Sequence, residues 1–84
     1  MSENSLFLLP RVQKDMDRFG HKVLRQLLER VKSLARDPRL PGSLKLIADE
    51  GYRLRSGDYR ILYRIDKEKK AVYIYRIKDR KDAS

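Results

Sequence analysis

The sequence predicts an α+β fold in which an antiparallel sheet packs on two N-terminal helices, with the element order β-α-α-β-β-β. Three observations predict it: a leucine-rich helical period at residues 23–35, a strand-like alternation from residue 52 onward, and a length of 84 residues, which suits a single domain spanning 1–84. Strands joined by short turns pair antiparallel, and such a sheet buries one face while the other stays open. We therefore expect helices on one face and an open second face.

The first part of the chain supplies one strand and both helices. Ser5 to Leu9 is a short apolar run closed by Pro10, which favours a strand followed by a helix with proline in its first turn. Apolar residues then recur at helical spacing as far as Gly20, namely Val12, Met16 and Phe19. The next period is the strongest and predicts an amphipathic helix ending before Asp37, with one apolar face formed by Val23, Leu24, Leu27, Leu28, Val31, Leu34 and Ala35.

The second part is predicted to form a surface connection and three strands. Residues 37–49 contain two prolines and a glycine and show no sustained period, which is typical of a loop. Strands are predicted at Tyr52–Ser56, Tyr59–Asp66 and Ala71–Lys78, and a polar turn at 67–70 joins the last two. In the middle strand the alternation indicates a buried set of Ile61, Tyr63 and Ile65.

Positive charge is concentrated among these strands. The net charge is +9, and residues 52–84 carry eleven basic against five acidic residues, whereas residues 1–51 carry ten against seven. Because side chains alternate faces, Arg53 and Arg55 point the same way, Arg60 and Arg64 share a face, and a hairpin at 56–58 brings the two sets together. This pattern predicts an open basic face that binds an anion, most commonly nucleic acid, with a merely solubilising surface as the alternative.

The composition excludes several kinds of chemistry. Cysteine is absent and His21 is the only histidine, so the chain has no disulfide, no thiolate nucleophile and no histidine cluster for a metal. No apolar run approaches the roughly 18 residues of a membrane-spanning helix. We expect a cytoplasmic protein without a cofactor and without a membrane partner.

Three stretches are specific enough to indicate a family. The strongest is Gly-Tyr-Arg-Leu-Arg-Ser-Gly-Asp-Tyr-Arg-Ile-Leu-Tyr-Arg-Ile at 51–65, preceded by Asp-Pro-Arg-Leu-Pro-Gly-Ser-Leu-Lys-Leu at 37–46 and followed by Lys-Asp-Arg-Lys-Asp at 78–82. With them, nearly the whole chain resembles the RelE/ParE toxin superfamily, specifically RelE-like mRNA interferases of type II toxin–antitoxin systems. The resemblance implies the same β-α-α-β-β-β layout, metal-independent cleavage of mRNA in the ribosomal A site, contact with ribosomal RNA, and a cognate antitoxin that forms a hetero-oligomeric complex with the toxin.

The resemblance also implies roles for particular residues. Arg53 and Arg55 match the paired basic residues that activate the ribose 2′-OH and neutralise the phosphate. Arg60 matches the arginine that clamps the non-bridging phosphate oxygens, and Arg80 matches the one that stabilises the leaving 5′-oxygen. Further RNA contacts are expected from Lys45, Arg64, Arg76, Lys78 and Lys81. The residues by themselves also allow a plainer interpretation, in which the arginines are the exposed row of a sheet.

Two departures from the family pattern favour other functions. Asp79 stands where many members carry histidine, and the chain ends in Ala83-Ser84 where an aromatic residue, usually tyrosine, follows. These departures favour a ParE-like toxin that binds DNA gyrase, or a catalytically degenerate binding protein with the RelE fold. The arginines at positions 53, 55, 60 and 80 favour the nuclease, since a protein without RNA chemistry has no need of converged phosphate ligands.

Overall fold

The computed structural model describes residues 4–37, 43–45 and 51–79. Within them the elements are β1 (Ser5–Leu8), α1 (Pro10–Met16), α2 (His21–Arg36), β2 (Ser43–Lys45), β3 (Tyr52–Ser56), β4 (Tyr59–Asp66) and β5 (Ala71–Asp79). The strands form one sheet in the order β1-β5-β4-β3-β2. The predicted α+β fold class is confirmed, and none of the helices in the described ranges is long and apolar enough to cross a membrane.

Most predicted elements lie where the sequence patterns place them, but α1 ends at Met16, before the expected stop at Gly20. Both β3 and β4 have the predicted bounds, and β5 runs one residue further, to Asp79. The leucine-rich period forms α2, which begins at His21 and ends before Asp37. Pro10 is the first residue of α1, as expected of a residue that lacks a backbone N–H to donate.

Two features of the sheet differ from the expected layout. Part of the predicted connection forms β2, which pairs antiparallel with β3 through residues 52–54. Three residues are too few to give a periodic signal, so the sequence did not reveal this strand. In addition, β1 pairs with β5 in parallel, which makes the sheet mixed. The two strands are distant in sequence, so no tight turn constrains them to run antiparallel.

The core lies between α2 and one face of the sheet. The helices contribute Val12, Leu27, Val31 and Leu34, and the strands contribute Leu54, Ile61, Tyr63, Val72, Ile74 and Ile77, all at most 3% exposed. Ile61 and Tyr63 of the predicted buried set are fully buried, and Ile65 packs against this cluster while partly exposed. Burial of this set fixes which face of each strand points away from the helices, and therefore which side chains are open to solvent.

Helix α1 covers the part of β5 that β1 leaves open. The pairing of β1 ends with Leu8 opposite Ile74, so within the described ranges the outer edge of β5 beyond that point has no neighbouring strand. Asp15 of α1, which is 3% exposed, accepts a hydrogen bond there from the backbone N–H of Ile77 at 3.0 Å. A carboxylate thus satisfies a backbone donor that a strand would otherwise have satisfied.

A bulge in β5 changes the alternation of its side chains. Leu62 pairs with Arg76 but Tyr63 pairs with Ile74, so Tyr75 is an extra residue. It packs beside Gly51, where an added Cβ would lie 2.8 Å from the Tyr75 hydroxyl oxygen. Because one residue is inserted, Tyr73 and Arg76 lie on the same face of the sheet although their numbers differ by three.

Candidate functional site

The open face carries one row of cations across three strands. Arg55 of β3 lies directly opposite Arg60 of β4, and Arg60 lies directly opposite Lys78 of β5. Paired residues of antiparallel strands point to the same face, so the three side chains form a line that we call the cationic row. Arg55 is exposed and the other two are partly exposed. The expected convergence of the β3 and β4 arginines is confirmed by this register.

A second row on the same face lies two residues away from the cationic row along each strand. Arg53 of β3 pairs with Leu62 of β4, and Leu62 pairs with Arg76 of β5. The three residues, which we call the mixed row, are partly exposed on the same face as the cationic row. Here two arginines flank an apolar residue instead of a third cation.

The two rows differ in how their charge is compensated. In the mixed row, the Nε of Arg76 donates a hydrogen bond to Asp15 Oδ2 at 2.9 Å. In the cationic row, and also at Arg53, no carboxylate of the described residues lies within 4.0 Å of the basic nitrogens. Like charges directly opposite each other in a sheet are destabilising. The cationic row contains two such pairs, so it lowers stability and needs an explanation other than folding.

A small concavity lies at the end of the cationic row. A pocket of about 190 Å³ is lined by Arg55, Gly57, Asp58, Tyr59 and Arg60. Gly57 adopts a φ of 60° in the turn between β3 and β4, a conformation that favours glycine. The turn is thereby tight enough to bring the two guanidinium groups to one pocket, where an anion can be contacted from both sides.

The remaining predicted site residues are more dispersed. Arg64 is exposed on the same face, and its guanidinium carbon lies 5.2 Å from the centre of the Tyr75 ring. Lys45 pairs through its backbone with Tyr52, so β2 does not place it opposite an arginine. The side chain of Lys45, and the whole of Arg80 and Lys81, lie outside the described residues.

Aromatic contacts account for all five tyrosines. Tyr52 stacks on the buried Tyr63, and Tyr59 meets Phe19 edge to face on the helix side of the sheet. On the open face Tyr73 stacks on Phe7 with ring centres 5.2 Å apart, and Tyr75 lies beside Arg64. Four of the five tyrosines thus pack against another aromatic ring, and Tyr75 packs against a guanidinium.

Two contributors to the site were not singled out from the sequence. Asp15 follows Val12 by three residues and precedes Phe19 by four, so the helical period places it on the apolar side with them, whereas the exposed Asp17 lies off that side. The period does not indicate which partners Asp15 has, since its contacts with β5 depend on the assembled sheet. The bulge at Tyr75 changes the alternation of β5 without a glycine to mark it.

The chemistry available on this face is that of fixed positive charge. Guanidinium groups bind phosphate through paired N–H donors, and an ammonium adds a point charge. Among the described residues, no group of three His, Cys, Asp or Glu side chains is arranged to hold a metal ion. The arrangement fits the binding of a polyanion and the stabilisation of negative charge that develops on it.

Comparison with known proteins identifies the family. Residues 6–83 match the family model described as the ParE toxin of the type II toxin–antitoxin system, parDE. The chain belongs to the RelE/ParE toxin superfamily. It is a toxin of a type II toxin–antitoxin system, and no curated protein sequence matches it significantly.

Solved structures of related toxins have the same fold. The toxin is similar to a chain of the toxin–antitoxin complex RelBE2 from Mycobacterium tuberculosis, with 28% identity, 95% of this chain and 94% of that chain covered, and a TM-score of 0.82. It is also similar to a chain of the archaeal RelE–RelB complex from Pyrococcus horikoshii, with 25% identity, 96% and 99% covered, and a TM-score of 0.81. A chain of the intact E. coli RelBE complex is 26% identical, with 90% of this chain and 95% of that chain covered and a TM-score of 0.76.

Proposed function

We propose that this toxin is a RelE-like endoribonuclease that cleaves mRNA on the ribosome. The observation that carries the proposal is the cationic row of Arg55, Arg60 and Lys78, which has two like-charge pairs and no carboxylate within ion-pair distance among the described residues. A phosphodiester bound across the row would relieve this repulsion. The similarity to structures of RelE toxins supports the same function.

The proposed reaction uses charge stabilisation. The ribose 2′-OH attacks the adjacent phosphorus and loses its proton to water, the bond from phosphorus to the 5′-oxygen breaks, and that oxygen takes up a proton. The products are a 2′,3′-cyclic phosphate and a free 5′-hydroxyl. Arginine remains protonated throughout, so it is better suited to hold the attacked phosphate and its extra negative charge than to act as a base.

Each basic residue has a distinct place in this scheme. Arg60 is the central member of the cationic row, and its planar fork contacts two non-bridging phosphate oxygens at once. Arg55 and Arg53 lie on the neighbouring strand, where they polarise the 2′-OH and neutralise the phosphate. We assign Arg80 to the leaving oxygen because of its match to the family pattern.

A cognate antitoxin is the proposed protein partner. The relatives of known structure include toxin–antitoxin complexes from a bacterium and an archaeon. An antitoxin segment with acidic residues would neutralise the uncompensated cations of the open face, since opposite potentials on two partners favour association. In this proposal the antitoxin and the RNA compete for the same positive charge.

A gyrase-binding toxin is the second candidate function. The family model that matches residues 6–83 is that of ParE, and Asp79 departs from the histidine of many nuclease members. In this alternative the cationic row is a protein-binding surface and no RNA is cleaved.

Primer extension on a translated mRNA separates the two functions. Wild-type protein, Arg60→Gln and the control Lys69→Gln are induced in turn, because Lys69 lies in the exposed turn between β4 and β5 and its loss changes the charge equally. We expect cuts within codons for wild type and Lys69→Gln, and none for Arg60→Gln. Growth arrest with intact mRNA, together with inhibition of purified gyrase in a supercoiling assay, would replace the nuclease by the second candidate.

A further inference from the structure

The inference concerns Asp15, which is buried beside the open face. One oxygen of this carboxylate, Oδ2, accepts hydrogen bonds from both Arg76 Nε and the Ile77 backbone N–H. We infer that Asp15 is a positioning residue, which fixes Arg76 as a ligand for a second phosphate of a bound single-stranded RNA. The inference rests on the proposed function, and names a phosphate subsite on the mixed row beside the one on the cationic row.

The hydrogen bonding leaves the binding edge of Arg76 available. Nε is the inner nitrogen of the guanidinium, and among the described residues it is the only Arg76 side-chain nitrogen with a partner. The Arg76 side chain is 26% exposed, whereas that of Asp15 is 4% exposed. The two terminal nitrogens keep donors for an anion, and an arginine already fixed at Nε loses less rotational freedom when it binds one.

Structural needs alone do not require a charged residue at position 15. The Ile77 N–H needs only an acceptor, which the neutral amide of asparagine also provides. Buried ion pairs are seldom more stabilising than neutral replacements of similar size. A carboxylate matters here because it holds a cation in one orientation at the border of the open face.

The spacing of the two rows suits consecutive phosphates. Two residues along a strand advance about 7 Å, so Arg76 lies that far from Lys78 along β5. One nucleotide of an extended strand bridges such a distance. An RNA strand that places its scissile phosphate on the cationic row therefore brings a neighbouring phosphate to Arg76 and Arg53. Leu62 lies between these two arginines.

The test measures RNA binding without cleavage. A fluorescein-labelled, ribose-methylated RNA dodecamer cannot be cut, and its affinity is measured by anisotropy over a series of salt concentrations. The variants are Arg76→Gln, Asp15→Asn, the double variant, and the control Arg11→Gln. Arg11 makes a long ion pair with the other oxygen of Asp15, at 3.9 Å, and its side chain is 62% exposed, so this control removes a nearby charge that lacks the close hydrogen bond of Arg76.

The expected changes differ in sign from those of a simple charge effect. Arg76→Gln lowers affinity by about tenfold, the effect of one charge-assisted hydrogen bond, and lowers the salt slope by about one. Asp15→Asn lowers affinity by a smaller factor even though the net charge rises by one. In the double variant the asparagine causes no further loss, because its effect requires Arg76. Arg11→Gln changes affinity little.

Several outcomes would overturn the inference. Asp15→Asn that binds RNA as tightly as wild type or more tightly would show that Asp15 only neutralises Arg76, and an equal loss with and without Arg76 would show a purely structural role. If circular dichroism shows that Asp15→Asn does not fold, the RNA affinity of Arg76→Lys tests the inference instead. Lysine keeps the charge but has no Nε to be held by Asp15. Wild-type affinity in Arg76→Lys would contradict the positioning role.

The proposed function can fail separately. Wild-type protein that does not bind the RNA overturns the inference about Asp15, whereas the proposed cleavage on the ribosome is decided by primer extension. Weakened binding in Arg60→Gln together with unchanged binding in Asp15→Asn overturns only the role of Asp15.

Discussion

The cationic row and the contact between Arg76 and Asp15 lie on neighbouring positions of β5 but compensate positive charge in opposite ways. Arg76 has a buried carboxylate 2.9 Å away, whereas Lys78 and its partner Arg60 have none within ion-pair distance among the described residues. The contact of Arg76 with Asp15 links β5 to α1, whereas the cations of the cationic row repel one another. The comparison teaches that basic residues of one strand can have different purposes: the uncompensated ones form the proposed site for the attacked phosphate, whereas Arg76 is held in place by Asp15.

The largest expected effect is the loss of stability when Asp15, the carboxylate that compensates Arg76, is removed. Asp15→Ala removes the acceptor of the Ile77 N–H and leaves the partly buried Arg76 without its partner. We expect the free energy of unfolding to fall by about 3 kcal/mol, since breaking a buried ion pair by removing one member leaves an uncompensated charge. For a domain of this size that is a large share of the total stability. Urea denaturation measures the change.

Asp17 provides the matched control for this substitution. It is exposed at the end of the same helix, so Asp17→Ala changes the charge equally and is expected to shift stability by at most about 0.5 kcal/mol. Equal losses for the two variants would mean that the buried contact of Asp15 has no special weight.

A smaller effect of opposite sign, a gain in stability, is expected when a cation of the cationic row is removed. Arg60→Gln removes both like-charge pairs of the cationic row, so we expect the free energy of unfolding to rise by about 0.5 kcal/mol while RNA binding weakens. Lys69→Gln in the turn is the control and is not expected to stabilise the protein, because Lys69 is exposed and lies outside the cationic row. A loss of stability in Arg60→Gln would show that the row is not repulsive.

The smallest expected effect is the response to salt. Repulsion within the cationic row is screened as the Debye length falls from about 30 Å at 0.01 M to about 8 Å at 0.15 M salt. We expect wild type to gain a few tenths of a kcal/mol over this range in urea denaturation. Arg60→Gln should gain less, and an identical salt response in the two proteins would contradict the comparison.

The sequence predicted most of the fold because its signals are local. The leucine period of α2 and the alternation of β3 and β4 each lie within one short segment, and Gly57 marks their hairpin. The facing arrangement of Arg55 and Arg60 follows from that hairpin, so it could also be predicted from the sequence. The sequence also indicated the family through the residues around Arg60.

What the sequence did not predict depends on how β5 pairs with its neighbours. Asp15 meets the backbone of Ile77 beyond the point where β1 stops pairing with β5, and Arg76 shares a face with Tyr73 because of the bulge at Tyr75. The helical period places Asp15 on the apolar side of its helix but does not indicate its partners, and the bulge has no periodic signature. The side chains of Arg80 and Lys81 lie outside the described residues, so their roles stay predictions.

The parallel pairing of β1 with β5 has a consequence for the synthesis of the chain. Residues 5–8 are made more than sixty residues before their hydrogen-bonding partners at 71–74. The sheet therefore cannot close until β5 has left the ribosomal exit tunnel, and such distant pairing slows folding relative to local contacts. A nascent chain interrupted before β5 lacks the strand that joins β1 to β4, so premature termination would yield no active toxin.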